Sequence, residues 1–371
     1  MINLPHSDEL DIAHLSNLFK DTSESYKLFW FRALNEMVHR GKLNPSYDEL
    51  INMMIADAWY MVTQCKLKLG PRDTLESLIY LLSDNNKDLQ PTSKEADIIE
   101  YISDSDNNEV LKKKKILTYE VPYRLQAPFL PEIKGKEWNV SSVKRAAKIN
   151  QGKRLIYYFG AINGLETKIL IQDDWAKYIT NNFEILKGWI EYKLISYLQR
   201  RNPGVPGIVD KVSPKRERDL RNAIKYWKMI IEREPVYEIY NDQLMTCDDI
   251  SVDHFVPWSY VAHDELWNLN PTTKSINSSK SNNLPDFDKY FQKLVDLEFQ
   301  SYKMMWKYED IHKEFETCAK KHINDERVKG KIYKKDLTYE EFKNGLQALV
   351  LPAYDMALEC GFDKWEYAEK S

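Results

Sequence analysis

The sequence predicts a predominantly helical α+β fold, on three observations. Glycine is scarce, at 12 of 371 residues, while tyrosine (23) and tryptophan (10) are plentiful, a balance that disfavours a glycine-rich all-β fold. Apolar side chains recur at helical spacing towards both ends of the chain. Runs with strand character are few and short, near residues 154–171 and 236–254. Hydrophobic residues at 43% and charged residues at 30% are ordinary globular values, and the length allows two domains, each with its own core.

Residues 10–82 read as helices. Tyr26, Phe29, Trp30 and Ala33 fall at i, i+3, i+4 and i+7, which makes one apolar face. A second helix is expected over residues 47–65, with Leu50, Met54, Ala58 and Met61 on one stripe; Trp30, Trp59 and Tyr60 read as core. Residues 83–94 and 103–109 are polar and turn-rich, as surface loops are, and the four lysines at 112–115 read as a solvated face. Three prolines keep residues 121–131 from forming regular helix. The runs 154–159 and 166–171, joined by GAINGL, predict a hairpin. Helical spacing returns over 173–201, with Asp173 or Asp174 as the expected N-cap.

Residues 202–208 (NPGVPGI) then break the chain. They are the expected boundary between a mostly helical N-terminal region, 1–208, with a regulatory or recognition role, and a second region, 209–371. A helix over 214–234 follows the break. It offers Lys215, Arg218, Arg221, Lys225 and Lys228 as candidate nucleic-acid contacts, the last four on one face. The formal net charge of −4 does not exclude such a partner, because attraction to phosphates needs a local patch and not a basic total. From residue 287 onward the pattern is again helical and aromatic. No apolar run approaches the roughly 20 residues that cross a bilayer, and no basic-then-apolar leader opens the chain. Cys65, Cys247, Cys318 and Cys360 form no CxxC pair. Neither a disulfide framework nor structural zinc is therefore expected, and the expected location is the cytoplasm.

Chemistry concentrates in residues 249–285, DISVDHFVPWSYVAHDELWNLNPTTKSINSSKSNNLP. Asp253 and His254 end an alternating segment, and neighbours in a strand point to opposite faces, so a metal ligand and a general base could flank one phosphate. Pro257 ends the strand. Thr272 or Thr273 can cap a short helix over 274–281 that sets Asn277 and Lys280 one turn apart, with Lys280 placed for a neighbouring phosphate. Residues 236–240 and the turn at Asn241 and Asp242 supply the expected hairpin partner, giving a ββα core over 235–285. His263, in AHDEL, reads as an exposed loop histidine, and Asn282 and Asn283 as C-cap and turn residues. A histidine titrates near neutral pH and can deprotonate water, while one carboxylate and one amide leave a cation open to phosphate and water.

Asp253, His254, Pro257, Asn268, Leu269, Asn277 and Lys280 stand at the spacing of the HNH, or ββα-metal, nucleases. The segment resembles the HNH module of CRISPR RNA-guided DNA nucleases and of many stand-alone bacterial HNH proteins. The resemblance implies that His254 is the general base, that Asp253 and Asn277 hold one divalent cation, and that Asn268 braces the loop between strand and helix. The family often has a histidine where Asn277 stands, and an oxygen donor there favours Mg²⁺ or Mn²⁺. Many members hold structural zinc through two CxxC pairs. Only Cys247 lies near this motif, so packing, with the C-terminal helices as the expected source, must hold it.

The expected activity is thus metal-assisted hydrolysis of DNA to 5′-phosphate and 3′-hydroxyl ends. RNA is not excluded, because such a site reads the phosphate and not the sugar. SESYKLFWFRAL and the later DAWY resemble uncharacterised bacterial HNH proteins, some from anti-phage gene clusters, a setting in which a protein partner encoded nearby would fit. One site cuts one strand per visit, so double-strand cleavage would call for a homodimer or repeated nicking. Two other readings compete: a nucleic-acid-binding scaffold that no longer cuts, against which the intact Asp253, His254 and Asn277 speak, and a toxin-like nuclease acting on RNA.

Overall fold

The computed structural model describes residues 3–86, 88–214, 219–320 and 325–368, with residues 325–327 as backbone alone. It is predominantly helical, with three two-stranded sheets among the described residues, the α+β class that the composition predicts. The chain divides into two compact units, Met1–Pro203 with Val212–Pro214, and Gly204–Lys211 with Lys215–Ser371. No helix among the described residues is long and apolar enough to cross a membrane.

In the first unit, helices Tyr26–His39 and Tyr47–Thr63 bury Trp30 and Trp59, as their periodicity requires. The second of these starts at a capping box: Ser46 Oγ accepts from Glu49 N at 3.2 Å, and Glu49 Oε2 accepts from Ser46 N at 2.8 Å. β1 (Tyr157–Phe159) and β2 (Ile169–Ile171) form the expected hairpin, antiparallel with Tyr157 opposite Ile171. Residues 121–131 hold only a helical turn, Val121–Arg124, and a 3₁₀ turn, Ala127–Phe129.

Two expectations fail in this unit. The helix over 173–201 is two helices, Asp173–Asn181 and Phe183–Arg201, and Gln172 caps the first by accepting from Trp175 N at 3.1 Å. Asp173 and Asp174 instead occupy the first turn, where carboxylates meet the positive end of the helix dipole. The lysine run is not wholly a solvated face either. Lys114 is buried and paired with Asp48, because helix Asn108–Leu117 turns that one position inward.

In the second unit, helices Arg221–Ile231 and Phe287–Lys307 pack on the short strands of the motif, Tyr339–Cys360 packs on the strand Leu284–Pro285 after it, and Glu309–Ala319 packs on the first two helices. β3 (Ile250–His254) pairs antiparallel with β4 (Leu269–Thr273), and a motif helix, Lys274–Lys280, follows directly. Thr273 caps that helix, accepting from Ile276 N at 3.3 Å. β5 (Leu284–Pro285) and β6 (Lys364–Trp365) pair in parallel beyond it.

The hairpin is therefore not the expected one. Residues 236–240 make only an isolated bridge, Tyr237 with Leu244, and β3 takes its partner from downstream. Asn268 explains why. Its Oδ1 accepts from Val256 N at 2.8 Å and its Nδ2 donates to Val256 O at 2.9 Å, while Phe255 N donates to Asn268 O at 3.0 Å. These bonds close the 255–268 loop and set the register that places Asp253 opposite Asn270.

Candidate nuclease site

On β3, Ser251 and Asp253 share a face with Thr272 and Asn270, their partners on β4. Polar groups from two other segments meet this face. Asn277 and Lys280 come from the motif helix, and Glu238 and Tyr240 from the segment before β3. Asp253 is buried: its Oδ2 accepts from the Tyr240 hydroxyl at 2.6 Å, and its Oδ1 from Lys280 Nζ at 3.1 Å. Lys280 is fully buried and donates also to His254 O at 2.8 Å. Burial pulls its pKa down, against the attraction of Asp253. Lys280 was expected on a neighbouring phosphate. The structure turns it inward, where its ammonium pairs with the buried carboxylate of Asp253.

Asn277 donates through Nδ2 to Ser251 Oγ at 2.8 Å and to Val252 O at 3.1 Å. Both bonds use the amide nitrogen, so Oδ1 is the end that can meet a cation. Tyr240 carries the same polar face into an aromatic wall. Its ring lies edge-on to Tyr290 and to Trp365, each at 5.1 Å, and burial and Asp253 hold its phenol well above the usual pKa. The C-terminal helices and β6 thus supply packing around the motif.

Glu238 is the hidden member of this group. Its Oε1 accepts from Thr272 Oγ1 at 2.9 Å, and its Oε2 from the backbone N of Tyr240 (2.8 Å) and Asn241 (2.9 Å). Burial, opposed by these bonds and helped by the charge of Asp253, pushes its pKa from 4.5 up to about 7. The folded protein therefore holds a proton that the unfolded chain releases at lower pH. The resulting stability is full below pH 4.5 and is lost as pH rises through 7. Glu238→Gln, which keeps the shape and cannot titrate, should flatten the fall of melting temperature over that window. An unchanged slope would assign the titration to another group.

His254 lies on the opposite face of β3. Its Nε2 is 2.7 Å from Asp264 Oδ1, in the loop that Asn268 closes. A proton on Nε2 would point at this carboxylate and leave the ring lone pair on Nδ1. His263, expected exposed, is half-buried beside Glu265 at 3.8 Å and Trp267, and burial lowers its pKa.

The basic helix is described in part. Lys215 and Arg218 lie outside the described residues. Arg221 is exposed and bonds Asp219 through Nε at 2.8 Å; Lys225 is exposed and paired with Glu314; Lys228 is half-buried. The inward face of this helix holds Tyr226 and Trp227, and Trp227 Nε1 donates to Leu269 O at 2.8 Å, so the helix also anchors β4.

The motif spacing led to Asp253, His254, Asn268, Asn277 and Lys280, and the structure gathers all five around one hairpin and helix. It did not lead to Asp264, Tyr240, Glu238 or Asn270. Asp264 stands in the same AHDEL stretch as His263, and its signal was a carboxylate in a loop bound to fold back over the strand end. Asn270 is fully buried, and neither its Oδ1 nor its Nδ2 has a hydrogen-bond partner.

The donor set fits a hard cation. Asp253 has carboxylate lone pairs beyond the two bonds above, Asn277 presents Oδ1, and water or phosphate would complete the shell. Among the described residues no group of three His, Cys, Asp or Glu is placed to hold a metal ion, so an ion bound here would need amide as well as carboxylate oxygens.

A two-stranded antiparallel hairpin followed directly by a helix is a ββα arrangement. Residues 237–286 match the family model described as HNH endonuclease, and the chain carries an HNH endonuclease domain there. HNH nucleases are generally dependent on a divalent metal and act on nucleic acid. No curated protein and no solved structure matches the chain.

Proposed function

We propose that this protein is a metal-dependent endonuclease that hydrolyses phosphodiester bonds in DNA, with His254 as general base. The observation that carries the reading is the His254–Asp264 contact beside Asp253, Asn277 and the loop held by Asn268. His254 Nδ1 takes a proton from water as that water attacks phosphorus in line with the leaving 3′-oxygen. The leaving oxygen picks up a proton from solvent, giving 5′-phosphate and 3′-hydroxyl ends. A divalent cation, Mg²⁺ or Mn²⁺, held by Asp253 and Asn277 would stabilise charge on the phosphoryl oxygens. Asp264 keeps the imidazole in the working tautomer, and Asn268 fixes the loop that brings Asp264 to it.

The test compares plasmid DNA with labelled RNA, each with and without Mg²⁺. Mg²⁺-dependent cutting of DNA supports the proposal. Cutting of RNA alone would make the enzyme a ribonuclease, and binding without cutting would make it a scaffold. SESYKLFWFRAL and DAWY resemble uncharacterised bacterial HNH proteins, some of them from anti-phage gene clusters, and that resemblance is the support for a defence role. Phage plating on cells with wild-type protein or His254→Ala checks that role.

Phosphate contacts are assigned to the basic helix. Exposed ion pairs such as Arg221 with Asp219 contribute little, so phosphate can take the cation over. Arg221→Glu with Lys225→Glu should weaken DNA binding and reduce the slope of log K against log salt by ~0.9 per lost contact. A slope equal to wild type would leave the helix with its structural role alone.

A further inference from the structure

We propose that Asn270 is a third protein oxygen donor to the cation held at Asp253 and Asn277; the inference rests on that reading of the ion's place. Asn270 is fully buried in β4, with both ends of its amide unpartnered. Folded proteins leave few such groups, because burial strips an amide of water and a missing partner leaves that cost uncompensated. A buried amide with open lone pairs is therefore a place that something fills.

Register says what. Asn270 stands directly across from Asp253. Side chains at opposite positions share a face, with β-carbons about 4.5–5.5 Å apart. Two oxygens on one Mg²⁺ lie at most ~4.2 Å from each other, within reach of two such side chains. Asn270 Oδ1 has no hydrogen-bond partner and is the donor atom that an ion would take. Asp253, Asn277 and Asn270 give one carboxylate and two amide oxygens, which leaves half of an octahedral shell for water and phosphate.

A strand residue with the same shape and no such role would be apolar, so the decisive variant is Asn270→Leu. Mn²⁺ binding to the full chain without nucleic acid, read by electron paramagnetic resonance, should weaken about tenfold or more. The metal-free melting temperature should not fall, since an unpartnered amide has been removed. Asn270→Asp should tighten Mn²⁺ binding and serves as the second test if the leucine variant fails to fold. Asn277→Ala is the control. If it weakens Mn²⁺ binding while Asn270→Leu does not, Asn270 holds at most a water and the inference is overturned. If neither changes binding, the ion lies elsewhere and the reading of Asp253 and Asn277 falls with it.

Discussion

His254→Ala is expected to lower the cleavage rate by ~10²–10⁴-fold, the usual contribution of a general base, and to leave DNA affinity nearly unchanged. Affinity comes mainly from phosphate contacts, which a buried imidazole does not make. The fold should tolerate the change. Asp264 is partly exposed and can turn to water, and Lys280 bonds the backbone oxygen of residue 254, which alanine retains. Nicking rates and binding isotherms on one plasmid substrate, with a melting curve as control, separate these quantities. Wild-type cleavage would remove His254 from the chemistry and turn attention to His263.

Asp253→Ala should be the most damaging single change, because it strikes stability and chemistry together. The carboxylate is the charge partner of Lys280, whose ammonium is 0% exposed, and the acceptor for Tyr240. Removing one partner of a buried ion pair costs about 3–5 kcal/mol. The double variant Asp253→Ala with Lys280→Met removes the stranded charge. It should recover much of the melting temperature while remaining inactive and insensitive to Mg²⁺. If the single variant melts like wild type and keeps a wild-type metal titration, Asp253 is neither the ligand nor the anchor assigned to it.

The sequence showed this site unevenly, for physical reasons. The motif helix was legible, and its cap narrowed to Thr272 or Thr273, because capping is local and Thr-to-Lys280 spacing is helical; the structure selects Thr273. β3 was legible from its alternation. β4 was not, since Leu-Asn-Pro-Thr-Thr carries turn residues and its pairing depends on a loop closed by Asn268. Nothing in the spacing could show that Lys280 turns inward, because a lysine one turn from a metal ligand serves phosphate or carboxylate equally well until burial decides. Gln172 was passed over for the same kind of reason: two aspartates beside it are better caps on average, and only the chain's approach angle selects the amide.

The aromatic wall behind Tyr240 has a consequence for how the protein is made. Trp365 stands far downstream of the motif it steadies, joined to it through the β5–β6 pair. During synthesis the motif leaves the ribosome first, and the ring that braces its tyrosine follows only after the long helix Tyr339–Cys360. A nascent chain thus carries Asp253 and Tyr240 before it carries the ring that supports them. The order of translation itself delays completion of the packing around the motif until residue 365 has been made.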